Sequence, residues 1–245
     1  MNFKVDESWQ EIIDISLTSL DKEYLEFLKK DTSFFPDKNS FLNAFKTLKL
    51  ENTKYILFGQ DPYPREKSAV GYAFIDGNVD KIFSATGLSK EVNKATSLRN
   101  FMKMLLRCGG LLKDDFSQSK IADIDKTDYI DSIDELRKNF EKNGVLLLNM
   151  ALVFTAKSDS KKHIREFKPF ILSVLGQLQD SDVKLILLGN WAKSLTKMDI
   201  IKNFESIEFQ HPYNTNFITD LGVCEFFGEL NLLKKVNFEI TDENK

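Results

Sequence analysis

Short apolar runs stand at wide intervals along the chain: Lys54-Tyr55-Ile56-Leu57-Phe58, Val145-Leu146-Leu147-Leu148, Leu185-Ile186-Leu187-Leu188 and Ser206-Ile207-Glu208-Phe209. Their length and their aliphatic and aromatic content mark them as strands. The first three lack a polar alternation, as central parallel strands covered on both faces do. Between them the apolar positions change to a helical period. Leu98, Phe101, Met102 and Leu105 follow i, i+3, i+4, i+7, with Thr96 or Ser97 placed to cap and Gly109-Gly110 to stop the helix. Further helices are expected over 9–28, 40–48, 133–142, 166–178, 191–203 and 224–234. Strands alternating with helices predict an α/β fold, a central four-stranded, mainly parallel sheet with helices on both faces. Two polar stretches, 75–95 and 113–132, are expected to be long surface loops.

Composition narrows this picture. A chain of 245 residues with 42% hydrophobic content suits one domain over 1–245 with a sizeable core, and the 21 phenylalanines are expected to fill it. The opening Met1-Asn2-Phe3-Lys4-Val5-Asp6 has no apolar stretch of signal-peptide type, and no run approaches membrane-spanning length, so an intracellular protein without a membrane association is expected. Cys108 and Cys224 form no CxxC pair, and no disulfide is expected between them in a reducing compartment. With only His163 and His211 beside them, soft ligands are too few for zinc or an iron–sulfur cluster; neither metal nor cofactor is expected. The net charge of −3 leaves nucleic acid open as a partner, since phosphate contacts act locally.

Candidate chemistry gathers where the strands end. The first is followed by Gly59-Gln60-Asp61-Pro62-Tyr63, the second by Asn149, the third by Gly189-Asn190 and the fourth by Gln210-His211-Pro212. In open parallel sheets ligands bind at the carboxyl ends of the strands. The topology therefore brings a carboxylate, an amide, an imidazole and two turns into one crevice. Taken singly, Asp61 could be a helix cap and His211 a structural histidine; convergence of four polar strand ends points instead to a site.

These residues resemble family-1 uracil-DNA glycosylases. Gly59-Gln60-Asp61-Pro62-Tyr63 is similar to the family's water-activating motif, and the match runs on through Ala69, Gly71 and Phe74. Val145-Leu146-Leu147-Leu148-Asn149 resembles the strand ending in the uracil-reading asparagine, Leu187-Leu188-Gly189-Asn190-Trp191-Ala192 a phosphate-contacting turn, and His211-Pro212 the start of the DNA-intercalating loop. The resemblance spans roughly 9–235. It implies a monomeric, cofactor-free and metal-independent hydrolase that flips uracil out of DNA and cuts its N-glycosidic bond, with a weakly catalytic DNA-binding or partner-binding module as the alternative. Asp61 and His211 are then catalytic. Gln60, Tyr63, Phe74 and Asn149 bind the base. Pro62, Ser97, Asn190, Pro212, Tyr213, Thr215 and Phe217 meet the DNA.

The implied roles suit the residue types. Uracil presents O4 as acceptor and N3–H as donor, which one fixed amide at Asn149 can satisfy and cytosine cannot. Tyr63 would press against C5 and exclude thymine, and Phe74 would stack on the extruded ring. A neutral His211 would donate to O2 as negative charge grows there, while Asp61 holds the attacking water and faces the cationic sugar. The chain departs from the family at Pro64, where a histidine is usual, and at Tyr213-Asn214-Thr215, where Ser-Pro-Leu is usual. Thr215 takes the place of the leucine wedge and offers little apolar area, so either Tyr213 or Phe217 substitutes or flipping is weaker and single-stranded DNA is favoured. Asn190 replaces a serine of the third turn, and His163, one residue away from a family histidine, is given no role.

Overall fold

The computed structural model describes residues 3–235. Its central sheet consists of β1 (Tyr55–Gly59), β4 (Val145–Asn149), β5 (Lys184–Leu188) and β6 (Ser206–Phe209), in the order β4-β1-β5-β6 and parallel throughout. A two-stranded antiparallel ribbon, β2 (Phe83–Ser84) and β3 (Gly87–Leu88), lies apart from it. The helices are α1 (Glu7–Leu17), α2 (Lys22–Lys30), α3 (Ala44–Thr47), α4 (Lys90–Lys94), α5 (Thr96–Cys108), α6 (Gln118–Ala122), α7 (Ile133–Lys142), α8 (Ser160–Leu178), α9 (Gly189–Lys193) and α10 (Leu221–Glu229).

The unbroken apolar runs of the strands are explained by two cores, one on each face. Successive strand residues point to opposite sides. Ile56, Phe58, Leu146, Leu148, Leu185 and Leu187 enter a core shared with Trp9 and Ile13 of α1 and Phe167, Phe170 and Val174 of α8. Leu57, Val145, Leu147, Ile186 and Leu188 enter the other, with Phe101 and Met102 of α5, Leu136 and Phe140 of α7 and Phe227 of α10. The α/β fold with helices on both faces is therefore as the sequence predicts.

The boundaries differ where side chains redirect the backbone. The helix expected over 9–28 is two, because the Asp21 side chain accepts from the Glu23 and Tyr24 N–H groups and starts α2 afresh. The helix expected over 40–48 shrinks to α3, that expected from 166 begins at Ser160, and that expected over 191–203 becomes α9 followed by 3-10 turns. At α5 the cap position is Ala95 and no side chain caps it, so neither Thr96 nor Ser97 has the expected part. The stretches 75–95 and 113–132 are packed rather than loose: Ile75, Val79, Ile82, Phe83, Leu88, Val92 and Ile121 are all buried. The cysteine expectation is corrected too. α5 and α10 lie side by side, with Phe101 and Phe227 ring centroids 5.1 Å apart, and their seam brings the Cys108 and Cys224 Cα atoms to 5.2 Å, joined as a disulfide.

Candidate active site

At one side of the sheet's carboxyl edge β1 and β4 finish in register, with Gly59 opposite Asn149. The pairing continues past the strands, Met150 N–H donating to Gly59 O and Ala151 N–H to Gln60 O, each at 3.0 Å. Any Cβ on Gly59 would collide with Asn149 Oδ1 and come within 2.9 Å of Ala73 Cβ, so glycine is what lets the asparagine side chain lie across the strand end. Asn149 is only 7% exposed, and among the described residues its amide makes no hydrogen bond, although its polar atoms are not wholly shut off from the surface. Buried amides are ordinarily bonded; this one is left with its donors and acceptor free at the strand end.

Two residues beyond Gly59 the half-buried Asp61 carboxylate accepts a hydrogen bond at Oδ2 from Ser160 Oγ, 2.5 Å away at the start of α8. Gln60 is exposed and Pro62 buried, so the proline shapes the turn rather than offering a surface. Tyr63 is half-buried, and desolvation, with Asp76 adding to it, pushes its phenol well above the ordinary range, so it remains a neutral wall. Its hydroxyl stands 3.5 Å from Phe74 O. Phe74 occupies the left-handed region at φ 69° and sets its ring edge-on to Phe101, centroids 4.8 Å apart. A bulky residue at positive φ is strained, and such strain persists only where the surroundings hold it in place.

At the other end β5 and β6 finish side by side, and Gly189 at φ 81° brings His211 against the sheet: a Cβ there would lie 2.6 Å from His211 Cβ. The Tyr213 backbone N–H donates to His211 Nδ1 at 3.0 Å. That bond needs a lone pair on Nδ1, so the ring is neutral with its proton on Nε2, a free donor. Desolvation by surrounding protein also lowers the His211 pKa. The loop is anchored by Asn100 of α5, whose Nδ2 donates to Pro212 O at 2.8 Å, and Pro212 itself is buried.

Beyond it Tyr213 is 69% exposed and Thr215 is exposed, whereas Phe217 is fully buried, stacked 6.0 Å from Phe101. Phe217 is therefore a core residue and not a DNA contact. The 3-10 turn Thr215–Ile218, capped by Asn214, folds its ring inward. Asn190 is exposed in the first turn of α9, and Ser97 is half-buried in the first turn of α5.

His163 is a satisfied core histidine, 1% exposed, between Tyr24 Oη at 2.6 Å from Nδ1 and Thr155 Oγ1 at 2.9 Å from Nε2. The Thr155 hydroxyl donates its one hydrogen to Asp159 Oδ2 at 2.8 Å. Nε2 must then carry the ring proton and Nδ1 must accept from Tyr24, which fixes the tautomer. Sequence reasoning missed Ser160 and Asn100. Neither left a signal: Asn100 falls off the Leu98, Phe101, Met102, Leu105 stripe of α5, and Ser160 stands in a polar run. Among the described residues no group of three His, Cys, Asp or Glu side chains could hold a metal ion, and no helix is long and apolar enough to cross a membrane.

One rim of the parallel sheet thus carries an unbonded amide, a carboxylate bonded to a hydroxyl and a neutral imidazole, groups suited to recognising a polar ligand and moving a proton. Residues 45–232 match the model of the uracil DNA glycosylase superfamily, and the chain belongs to that superfamily. It is 28% identical to a uracil-DNA glycosylase of Fusobacterium nucleatum over 242 residues, covering 95% of this chain and 92% of the other. A Campylobacter jejuni uracil-DNA glycosylase is also 28% identical, with 95% and 91% covered. Among solved structures, the crystal structure of a wild-type UNG from Nitratifractor salsuginis superposes with a TM-score of 0.93 at 47% identity, covering 95% of this chain and 94% of that one. The mimivirus uracil-DNA glycosylase, at 17% identity and a TM-score of 0.57, shares the fold.

Proposed function

We propose that the protein is a uracil-DNA glycosylase that hydrolyses the N-glycosidic bond of uracil flipped out of DNA, releasing the base and leaving an abasic site. The observation that carries this reading is the Asn149 amide, buried beside Gly59 and without a protein partner among the described residues. Its NH2 can donate to uracil O4 while its oxygen accepts from N3–H; cytosine would set like groups against like, at about 1–3 kcal/mol for each unpaired group. Phe74 stacks on the base and Tyr63 closes the space beside C5. When the C1′–N1 bond breaks, its electron pair leaves with the base, and His211 Nε2–H donates to O2 where negative charge collects. Water held by Asp61 adds to C1′ and gives up a proton to the carboxylate. Exposed Asn190, half-buried Ser97 and the two helix N-termini that bear them suit the flanking phosphates. The Tyr213 ring, exposed beside His211, is the side chain available to fill the gap left in the stack.

The test is base release from single-stranded oligonucleotides carrying one uracil, thymine or cytosine. Strand scission after alkali is expected at uracil alone. Intact uracil strands after prolonged incubation with excess protein would exclude the activity.

A further inference from the structure

Resting on that reading of the site, we propose that Ser160 is a positioning residue, whose hydroxyl locks the Asp61 carboxylate in the orientation that holds water for attack. Asp61 follows β1 in an irregular turn between Gln60 and Pro62, where nothing in the backbone fixes its side chain. The Ser160 O–H supplies what the turn does not: a 2.5 Å bond to Oδ2, the sole side-chain hydrogen bond of this carboxylate among the described residues. With Oδ2 engaged, the carboxylate plane is set and Oδ1 is left to accept from water. Pro64, three residues on, has no side-chain donor or acceptor, so a partner from elsewhere in the chain is required.

Ser160 can do this because it does not move independently. It is the first residue of α8, a 19-residue helix rooted in the core by Phe167, Phe170 and Val174. The residue before it, Asp159, ends the hydrogen-bonded series that runs from Tyr24 through His163 and Thr155. Each donor in that series has one acceptor, so the start of α8 is tied to α2 by a path with a single sense, buried at His163 and partly buried at Thr155 and Asp159. The unassigned buried histidine thus braces the helix end that carries Ser160. Such a brace favours the productive rotamer of the carboxylate, and misplacement of a reacting group by 1 Å can cost about 10²-fold in rate.

The decisive set is Ser160→Ala, Ser160→Val and Ser160→Thr, compared under single turnover on uracil-containing DNA. Val and Thr have the same shape and differ in the hydroxyl alone. Ser160→Thr should stay close to the parental rate, while Ala and Val fall by about 10- to 100-fold. The DNA concentration for half-saturation and the melting temperature should not change. In an Asp61→Asn background Ser160→Ala should have no further effect, because the bond it removes serves that carboxylate. A Val variant as fast as the Thr variant, or an equal loss in the Asp61→Asn background, overturns the positioning role. A parent that releases no uracil would sink the glycosylase reading, and the role with it.

Discussion

At the β1–β4 end of the sheet's carboxyl edge the candidate side chains are fixed from behind: Asp61 by Ser160, Asn149 by its seat on Gly59, Phe74 by the edge of Phe101. At the β5–β6 end the hold is looser. His211 has one ring nitrogen bonded to the Tyr213 N–H, Pro212 O takes the Asn100 amide, and the Tyr213 ring stands in solvent. The chain's two histidines restate the contrast. His163 has both nitrogens engaged and is structural, whereas His211 keeps Nε2–H unspent. Rigidity suits groups that must recognise a small planar base and aim a water. An open loop suits groups that must first enter DNA, and polar capacity left unused marks where chemistry is done.

Substitutions at the two ends should therefore fail in different ways. The largest effect is expected at the fixed end: Asp61→Asn should lower the single-turnover rate by about 10²–10⁴-fold with DNA binding retained. Unchanged rates in a quench assay would remove Asp61 from the reaction. His211→Leu should cost about 10²–10³-fold in rate without loss of stability, since it deletes a donor aimed at the leaving base. His163→Leu should act mainly on stability, lowering it by about 1–3 kcal/mol because the buried Tyr24 hydroxyl loses its acceptor, and should slow the reaction no more than loss of the Ser160 hydroxyl does, since it loosens only the helix end behind that serine. Similar behaviour of the two variants in denaturant titration and kinetics would erase the distinction.

A smaller effect is expected in the open loop. Tyr213→Ala should lower activity on double-stranded DNA about tenfold more than on single strands, as unstacking costs a few kcal/mol that a wedge offsets. Phe217→Ala should leave the strand ratio unchanged and instead cost about 3–5 kcal/mol of stability, as loss of a buried ring does. A changed strand ratio in Phe217→Ala alone would make it the wedge despite its burial.

The smallest effect concerns pH. Burial, with Lys162 adding to it, lowers the His163 pKa, outweighing Asp159, Glu166 and Asp61. With the folded value below the ordinary 6.5, the unfolded chain takes up a proton first. The stability that His163 contributes is thus present above that ordinary value and is lost as pH falls through the folded one. His163→Gln should show a shallower fall in melting temperature between neutral and mildly acid pH than the parent; equal slopes would contradict this.

Much of this was legible in the residue string because the strands and the chemistry use short-range rules. Four apolar runs defined the sheet, and the polar residue after each defined the rim. What could not be read depends on contacts between distant segments. Ser160 meets Asp61 across 99 positions, and Cys108 meets Cys224 across 116. Phe217 looked available as a wedge because its loop is polar, but one inward 3-10 turn puts its ring against Phe101. The helix over 9–28 broke because Asp21 caps more strongly than the apolar period continues.

The central claim is that the fixed end of the sheet's carboxyl edge reads uracil through Asn149, and base exchange at that residue tests it most directly. In Asn149→Asp an ionised carboxylate accepts from cytosine N4–H2 and repels uracil O4. On matched single-stranded oligonucleotides the parent should release uracil and no cytosine, while Asn149→Asp should release cytosine and lose most of its activity on uracil. A folded Asn149→Asp protein that still released uracil at the parental rate, with cytosine untouched, would contradict the account.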